Sequence, residues 1–316
     1  MFETRSRAAA SGSIALLVTL VLLSFAACTR QAPQAPPAAV DPVATNTTAA
    51  GECKLGVQLY SFRNDLDGDL PGTLARVKKL GLDCIEPYSL HGLTPEALRA
   101  EFDRAGLQVV SFHLPRELFV GPPQDAVNVG KVLGARQIGV AWIKESENDV
   151  VDEAKLMAAA DRLNAMCEAA QAADMQVFYH THGYEFHEGD DDGRLFDRFV
   201  NALQPECVVL QLDAYWVAYA GQDPVELLRR YADRTLSLHL KDMAPSFPVA
   251  PFDGSQWQGP LPDEAFAVIG QGKLDWASLL QVADEAAVQW YIIEDETTRP
   301  MENIAAAMPF LRSHGL

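Results

Sequence analysis

From Lys54 onward the chain alternates between two periods, and this alternation limits the possible folds more than any other feature. Short, nearly continuous apolar runs suit strands buried on both faces. Each is followed by a longer stretch with apolar residues at helical spacing. The strand runs are 54–60, 83–86, 108–112, 137–140, 176–179, 208–212, 236–240 and 291–293. The helical stretches are 70–80, 94–105, 124–133, 150–173, 195–203, 224–231, 277–286 and 301–311. Start and stop signals agree with these bounds. Thr94 and Asp223 stand before Pro95 and Pro224 as helix caps, and Gly81 follows the first helix. Eight strand–helix units predict an α/β fold in which a parallel sheet closes into a (β/α)₈ barrel. Such a barrel takes about 250 residues as a single domain.

The first 27 residues read differently. Arg5 and Arg7 precede an apolar run over 13–23, too short for a comfortable membrane span, and small residues then lead to Cys28. This pattern resembles a bacterial lipoprotein signal, with cleavage before Cys28 and lipidation of Cys28 itself. Phe25 stands where that pattern prefers Leu. Residues 28–50, rich in Pro, Ala and Thr, read as a flexible tether, and 51–316 as the barrel. The expected location is therefore the periplasm, with membrane contact only through the lipid anchor.

Loss of the leader removes Glu3, Arg5 and Arg7, taking the net charge from −18 to −19. A surface this acidic repels polyanions, which excludes nucleic acid and anionic membrane surfaces as partners. The barrel keeps Cys53, Cys84, Cys167 and Cys207, which an oxidising compartment can join in any of three pairings. The apolar neighbours of Cys84 and Cys167 suggest small core residues. No CxxC spacing points to a cysteine metal site.

In a barrel of this kind the chemistry sits at the carboxyl ends of the strands. Tyr60 ends the first strand, Glu86 the second and His113 the third. The fifth runs into YHTHGYEF, the sixth ends at Asp213, the seventh in HLKD and the eighth in EDE. Four neighbouring strands thus each deliver an imidazole or a carboxylate at one level. Strand alternation puts His180 and His182 on one face, and His239 and Lys241 on one face. Separate rigid strands carrying N and O donors can surround one divalent ion and leave positions open for substrate.

The ordered set GVQLYSFR, YHTHGYEF, LQLDAYW, LHLKD, VIGQGKLDW and YIIEDE resembles the xylose-isomerase-like sugar isomerase/epimerase family over 54–314. The resemblance implies one divalent ion held by Asp213, His239 and Glu294 on strands 6, 7 and 8. His180 occupies the strand 5 position, where the epimerase branch carries Glu. Those epimerases use their two Glu residues as paired acid/base groups, so His180 disturbs that pairing. Branches that cleave or hydrate oxidised sugars carry a His two residues beyond the strand 5 ligand, here His182, as the proposed proton carrier.

The expected catalytic groups are His182, Glu294, Lys241 and Glu185, with Lys241 stabilising a developing oxyanion. Glu86, His113, Trp216 and Tyr60 are the expected substrate contacts. The proline-rich connection 243–272, with Trp257, reads as a cover. The ion expected is Mn²⁺, with Co²⁺, Fe²⁺ or Zn²⁺ as alternatives. The reaction expected is proton abstraction next to a carbonyl of a sugar or keto-sugar, giving an isomer or epimer. A lyase or hydratase acting on 3-keto-glycosides is the alternative outcome. A sugar-binding lipoprotein without catalysis is a third reading, and the apurinic endonuclease relatives of the fold are disfavoured by the negative charge.

Overall fold

A computed structural model describes residues 54–146, 149–186, 195–249 and 261–316. Cys28, the leader, the tether, Cys53, Trp257 and the centre of the long connection lie outside the described residues. No helix among the described residues is long and apolar enough to cross a membrane.

Eight parallel strands surround one axis. They are Leu55–Gln58, Cys84–Glu86, a third strand in two segments (Gln108–Val109 and Ser111–His113), Gln137–Val140, Gln176–His180, Val208–Asp213, Thr235–Leu240 and Trp290–Ile293. Each pairs in parallel with its sequence neighbour, and the first pairs with the last. The third strand completes the ring: its first segment pairs with the second strand and its second segment with the fourth. The expected (β/α)₈ barrel is the fold observed.

The break in the third strand has a consequence for the site. Val109 packs in the core between strands and helices, whereas Val110 packs inside the barrel with Cys84 and Ile292. The extra step lets Ser111 and His113 face inward as well, where Ser111 Oγ meets Glu86. The interior is therefore graded. Cys84, Val110 and Ile292 fill the floor, and polar side chains fill the carboxyl end.

The helices lie where the period predicts them. Pro95–Ala105 is capped by Thr94 Oγ1 on Ala97 N, and Pro224–Arg230 by Asp223. Their buried faces join the strands' outward residues, such as Val177, Tyr179, Leu210 and Leu238, in one continuous core. Each such side chain contributes about 1.5–3 kcal/mol when fully buried.

Two expectations require correction. The long helix over 150–173 is two helices, Glu153–Ala165 and Cys167–Gln171. Asp152 caps the first through Lys155 N, and at Met166 the amide turns to Leu163 O at 3.1 Å, a tighter bond that ends the α-repeat. Cys167 is not a lone core residue but is bridged to Cys207, with Cα atoms 5.7 Å apart. Cys84 is disulfide-bonded as well.

The Cys167–Cys207 bridge closes 40 residues of chain, including the fifth strand and the loop that carries His182. Restricting a loop of that length in the unfolded chain stabilises the fold by about 2–4 kcal/mol. The double variant Cys167→Ser, Cys207→Ser is expected to lose this amount in urea unfolding without reductant. An unchanged midpoint would show that the bridge contributes nothing.

Candidate metal centre and active site

Strand alternation and register bring the candidate ligands to one level. Asp213 and His239 are paired in register across strands 6 and 7, and His180 is paired with Gln211 across strands 5 and 6. Glu294 follows the last residue of strand 8, its amide bonded to Leu240 O. One ligand atom each from His180, Asp213, His239 and Glu294 lies within 4.8 Å of all the others, and all four residues are buried. His113, His180 and His239 form a second, overlapping group by the same distance.

The donor atoms can be assigned. His180 Nδ1 is 2.9 Å from Gln211 Oε1, an acceptor, which leaves Nε2 facing Asp213 Oδ2 at 3.9 Å. His239 Nε2 is 2.8 Å from Glu86 Oε1, which leaves Nδ1 facing Glu294 Oε2 at 3.1 Å and Asp213 Oδ2 at 3.8 Å. Asp213 caps the short helix Ala214–Tyr219: its Oδ1 accepts from Trp216 N, and its own amide donates to Thr181 Oγ1. Its Oδ2 is buried at the centre with no hydrogen-bond partner of good geometry. Two imidazole nitrogens and two carboxylate oxygens, that one among them, lying together in this way fit a divalent transition ion.

Lys241 stands beside this group. Its Nζ lies 2.7 Å from Glu294 Oε2, 2.6 Å from Glu296 Oε1 and 3.3 Å from Asp213 Oδ2. Burial opposes its charge, but these three carboxylates more than offset that and hold it well above the ordinary lysine range. Burial also opposes charge on His239, and Glu86 and Glu294 on either side raise it to about 10. His180 is pushed well down, first by burial and then by the charge of His239. The centre thus holds Lys241 and His239 as cations beside its carboxylates, at a depth where an unpaired carboxylate costs several kcal/mol.

A family model described as xylose isomerase-like TIM barrel matches residues 74–314. The chain belongs to the xylose isomerase-like TIM barrel family. An inosose dehydratase from Clostridium beijerinckii is 27% identical over 161 residues, 50% of this chain and 51% of that one. An inosose dehydratase from Geobacillus kaustophilus is 26% identical over 219 residues, 60% of this chain and 69% of that one. The chain spans about half the length of most of the curated relatives it matches. Among solved structures, a sugar phosphate isomerase/epimerase from Parabacteroides distasonis superposes with a TM-score of 0.65 at 21% identity, over 86% of this chain and 98% of that one. The IolI protein with a zinc atom gives 0.60 at 17%, over 83% and 98%. These structural likenesses are likenesses of fold.

Within this family's barrel the remaining candidates separate by position. His182 lies beside the centre, its ring 5.6 Å from that of His180 and stacked on Trp216 at 4.9 Å. Burial, followed by the charge of Lys241, pushes it down to about 3, so its imidazole is neutral. Trp216 is 1% exposed, and it packs against His182 and under Lys241 rather than offering an open face. Tyr60 stands at the rim, 38% exposed, edge-on to Tyr88. Glu86 and His113 are held by other side chains inside the barrel. His113 Nε2 lies 2.7 Å from Gln211 Oε1 and 2.8 Å from Glu86 Oε1. Both Glu86 oxygens are engaged by protein groups.

Gln211, Gln58, Glu296 and Ser111 join the site without being among the expected catalytic, metal or substrate residues. Gln211 lies two residues before Asp213, and alternation along that strand marked it as inward-facing. Gln58 follows the same rule on the first strand and donates to Glu86 at 2.8 Å. Glu296 lies two residues beyond Glu294, but it follows the strand's end, where alternation no longer applies.

Glu185, expected among the acid/base groups, is fully buried. One oxygen accepts from His182 N at 2.8 Å and fixes the turn Tyr184–Phe186, while the other has no partner. Burial raises its carboxyl to about 8. A carboxyl raised on folding stabilises the fold in its protonated form. That contribution is full below the unfolded value near 4.5 and is lost as pH rises to about 8. The variant Glu185→Gln is therefore expected to gain stability over the wild type as pH rises from about 5 to 8, read as the difference in thermal midpoint. A constant difference across that range would show that Glu185 does not titrate in the folded protein.

Proposed function

We propose that the barrel is a divalent-metal-dependent lyase of the dehydratase kind, acting on a polyhydroxylated ketone such as a keto-cyclitol or a keto-glycoside. The observation that carries this reading is the convergence of His180 Nε2, Asp213 Oδ2, His239 Nδ1 and Glu294 Oε2 on one buried point beside Lys241. An ion bound there, Mn²⁺ by first choice, would polarise a carbonyl and its neighbouring hydroxyl and so acidify the adjacent C–H.

His182 takes that proton on its neutral imidazole, which Trp216 holds by stacking. Lys241 donates toward the oxygen that gains negative charge and, in the elimination, supplies the proton with which the β-substituent departs. The balance is loss of H from one carbon and of OH, or an alkoxy group, from the next. The products are an unsaturated ketone and water or an alcohol. The histidine at the strand 5 position favours elimination over epimerisation, because it removes one of the two opposed carboxylates that inversion of a centre would use. The dehydratase relatives favour the same outcome.

Isomerisation or epimerisation through the same enediolate is the second reading, and the structural likeness to a sugar phosphate isomerase/epimerase favours it. We place the enzyme outside the cytoplasm as a lipid-anchored protein. The Cys167–Cys207 bridge supports that placement, since such bonds persist in oxidising compartments.

Proton NMR in D₂O, with the full chain, Mn²⁺ and a panel of inososes, ketoses and 3-keto-glycosides, tests the reading. Loss of water or aglycone with a new vinylic signal is the expected result. Deuterium at the α-carbon with a new stereoisomer and no loss of group would establish the isomerase reading instead. His180→Ala and Glu294→Ala are each expected to reduce retained metal to background and turnover by more than about a hundredfold; full activity in either would contradict the site.

A further inference from the structure

Glu86 lies at the centre of the barrel, one layer beneath the four ligands, and is completely buried. Five side chains reach it. Gln58 Nε2 donates to Oε1 at 2.8 Å, His239 Nε2 lies 2.8 Å from Oε1, and His113 Nε2 lies 2.8 Å from the same oxygen. Gln211 Nε2 donates to Oε2 at 2.7 Å, and Ser111 Oγ donates there too. A charged group this deep is costly unless its surroundings use it.

An ionised carboxylate only accepts hydrogen bonds, and that one property propagates through the layer. Directly, it requires His239 to carry a hydrogen on Nε2, which turns Nδ1 toward Glu294 and Asp213. Indirectly, it requires Gln211 to present its NH₂ to Glu86, so that Oε1 faces the other way. That oxygen is 2.9 Å from His180 Nδ1 and 2.7 Å from His113 Nε2. It therefore demands a hydrogen on His180 Nδ1 and leaves Nε2 as the lone pair facing the centre.

We infer that Glu86 is a positioning residue that sets the ring form of both histidine ligands, His239 directly and His180 through Gln211, and so prepares the site for a divalent cation. Its role is to aim nitrogens at the metal rather than to bind substrate hydroxyls. This rests on the metal-site reading given above and adds the element that makes two histidines, rather than one, competent at once. A floor residue present only for packing would leave ring forms and metal affinity indifferent to its charge.

The test uses the full chain with ¹⁵N-labelled histidine rings. In the metal-free wild type, His180 is expected as the Nδ1–H form. In the Zn²⁺-saturated protein, His239 is expected to bind through Nδ1 and His180 through Nε2. Glu86→Gln, which can offer an NH₂ in place of an oxygen, is expected to mix the ring forms of His180. It should also weaken Zn²⁺ binding by about 10- to 100-fold in competition with a chromophoric chelator. Gln211→Met removes only the indirect arm, so His180 should lose its fixed form while His239 still binds through Nδ1.

His180 remaining in the Nδ1–H form in both variants, with unchanged Zn²⁺ affinity, would overturn the inference. Should Glu86→Gln fail to fold, the Gln211→Met spectra decide alone: a fixed His180 there is equally contrary. A wild type that shows the expected His180 form but binds no Zn²⁺ would instead refute the metal-site reading and leave the hydrogen-bond chain standing.

Discussion

The site is organised around carboxyl groups held out of water. Asp213, Glu294 and Glu296 meet a single ammonium, that of Lys241, and Glu86 adds a fourth carboxylate one layer below. At that depth like charges repel strongly and bare carboxylates are expensive. The structure answers with cations and donors from four strands: Lys241 and His239 from the seventh, His113 and Ser111 from the third, Gln211 from the sixth and Gln58 from the first. Parallel strands with matched register are what allow so many short side chains to converge on one point. The apolar floor of Cys84, Val110 and Ile292 closes the barrel beneath the polar layer.

Seen this way, the upper barrel has two tiers with different duties. The upper tier presents His180 Nε2, Asp213 Oδ2, His239 Nδ1 and Glu294 Oε2 to a common centre. The lower tier, Glu86 with Gln211, Gln58, Ser111 and His113, decides which atoms of the upper tier face it. Outer elements fix the rest. Thr181, on the opposite face from His180, braces the Asp213 amide, and the helix Ala214–Tyr219 takes up the other oxygen of Asp213. Asp242, next to Lys241, binds the amides of Gly270 and Gly272 and the indole of Trp276, tying the returning end of the long connection to the seventh strand. These contacts hold the four converging side chains in place.

The fold and the upper tier were readable from sequence because both follow from short-range periods. Alternation of two puts His180 with His182 and His239 with Lys241 on one face each, while Asp213 and Glu294 stand out by ending their strands and by the family resemblance. The lower tier was less readable. Glu86 and His113 were visible as inward polar residues, but sequence does not say whether such a residue looks up toward the mouth or down the barrel. The break at Val110, which brings both Ser111 and His113 inward, has no local signal. Glu185 was less readable for a related reason. It lies three residues past His182, beyond the strand, where the turn at Tyr184–Phe186 rather than alternation sets its direction. The Cys167–Cys207 pairing joins the residue just after a helix break to the residue before a strand, and only the packing of the two reveals it.

The central claim is that this barrel holds one divalent ion on four named side chains. Anomalous diffraction from crystals of the full chain grown with Mn²⁺ tests it most directly. The account predicts one peak, about 2.0–2.3 Å from His180 Nε2, Asp213 Oδ2, His239 Nδ1 and Glu294 Oε2, with Lys241 Nζ displaced toward Glu296. Absence of a peak there, with the Lys241 ammonium still bound between Asp213 and Glu294 at saturating Mn²⁺, would contradict it.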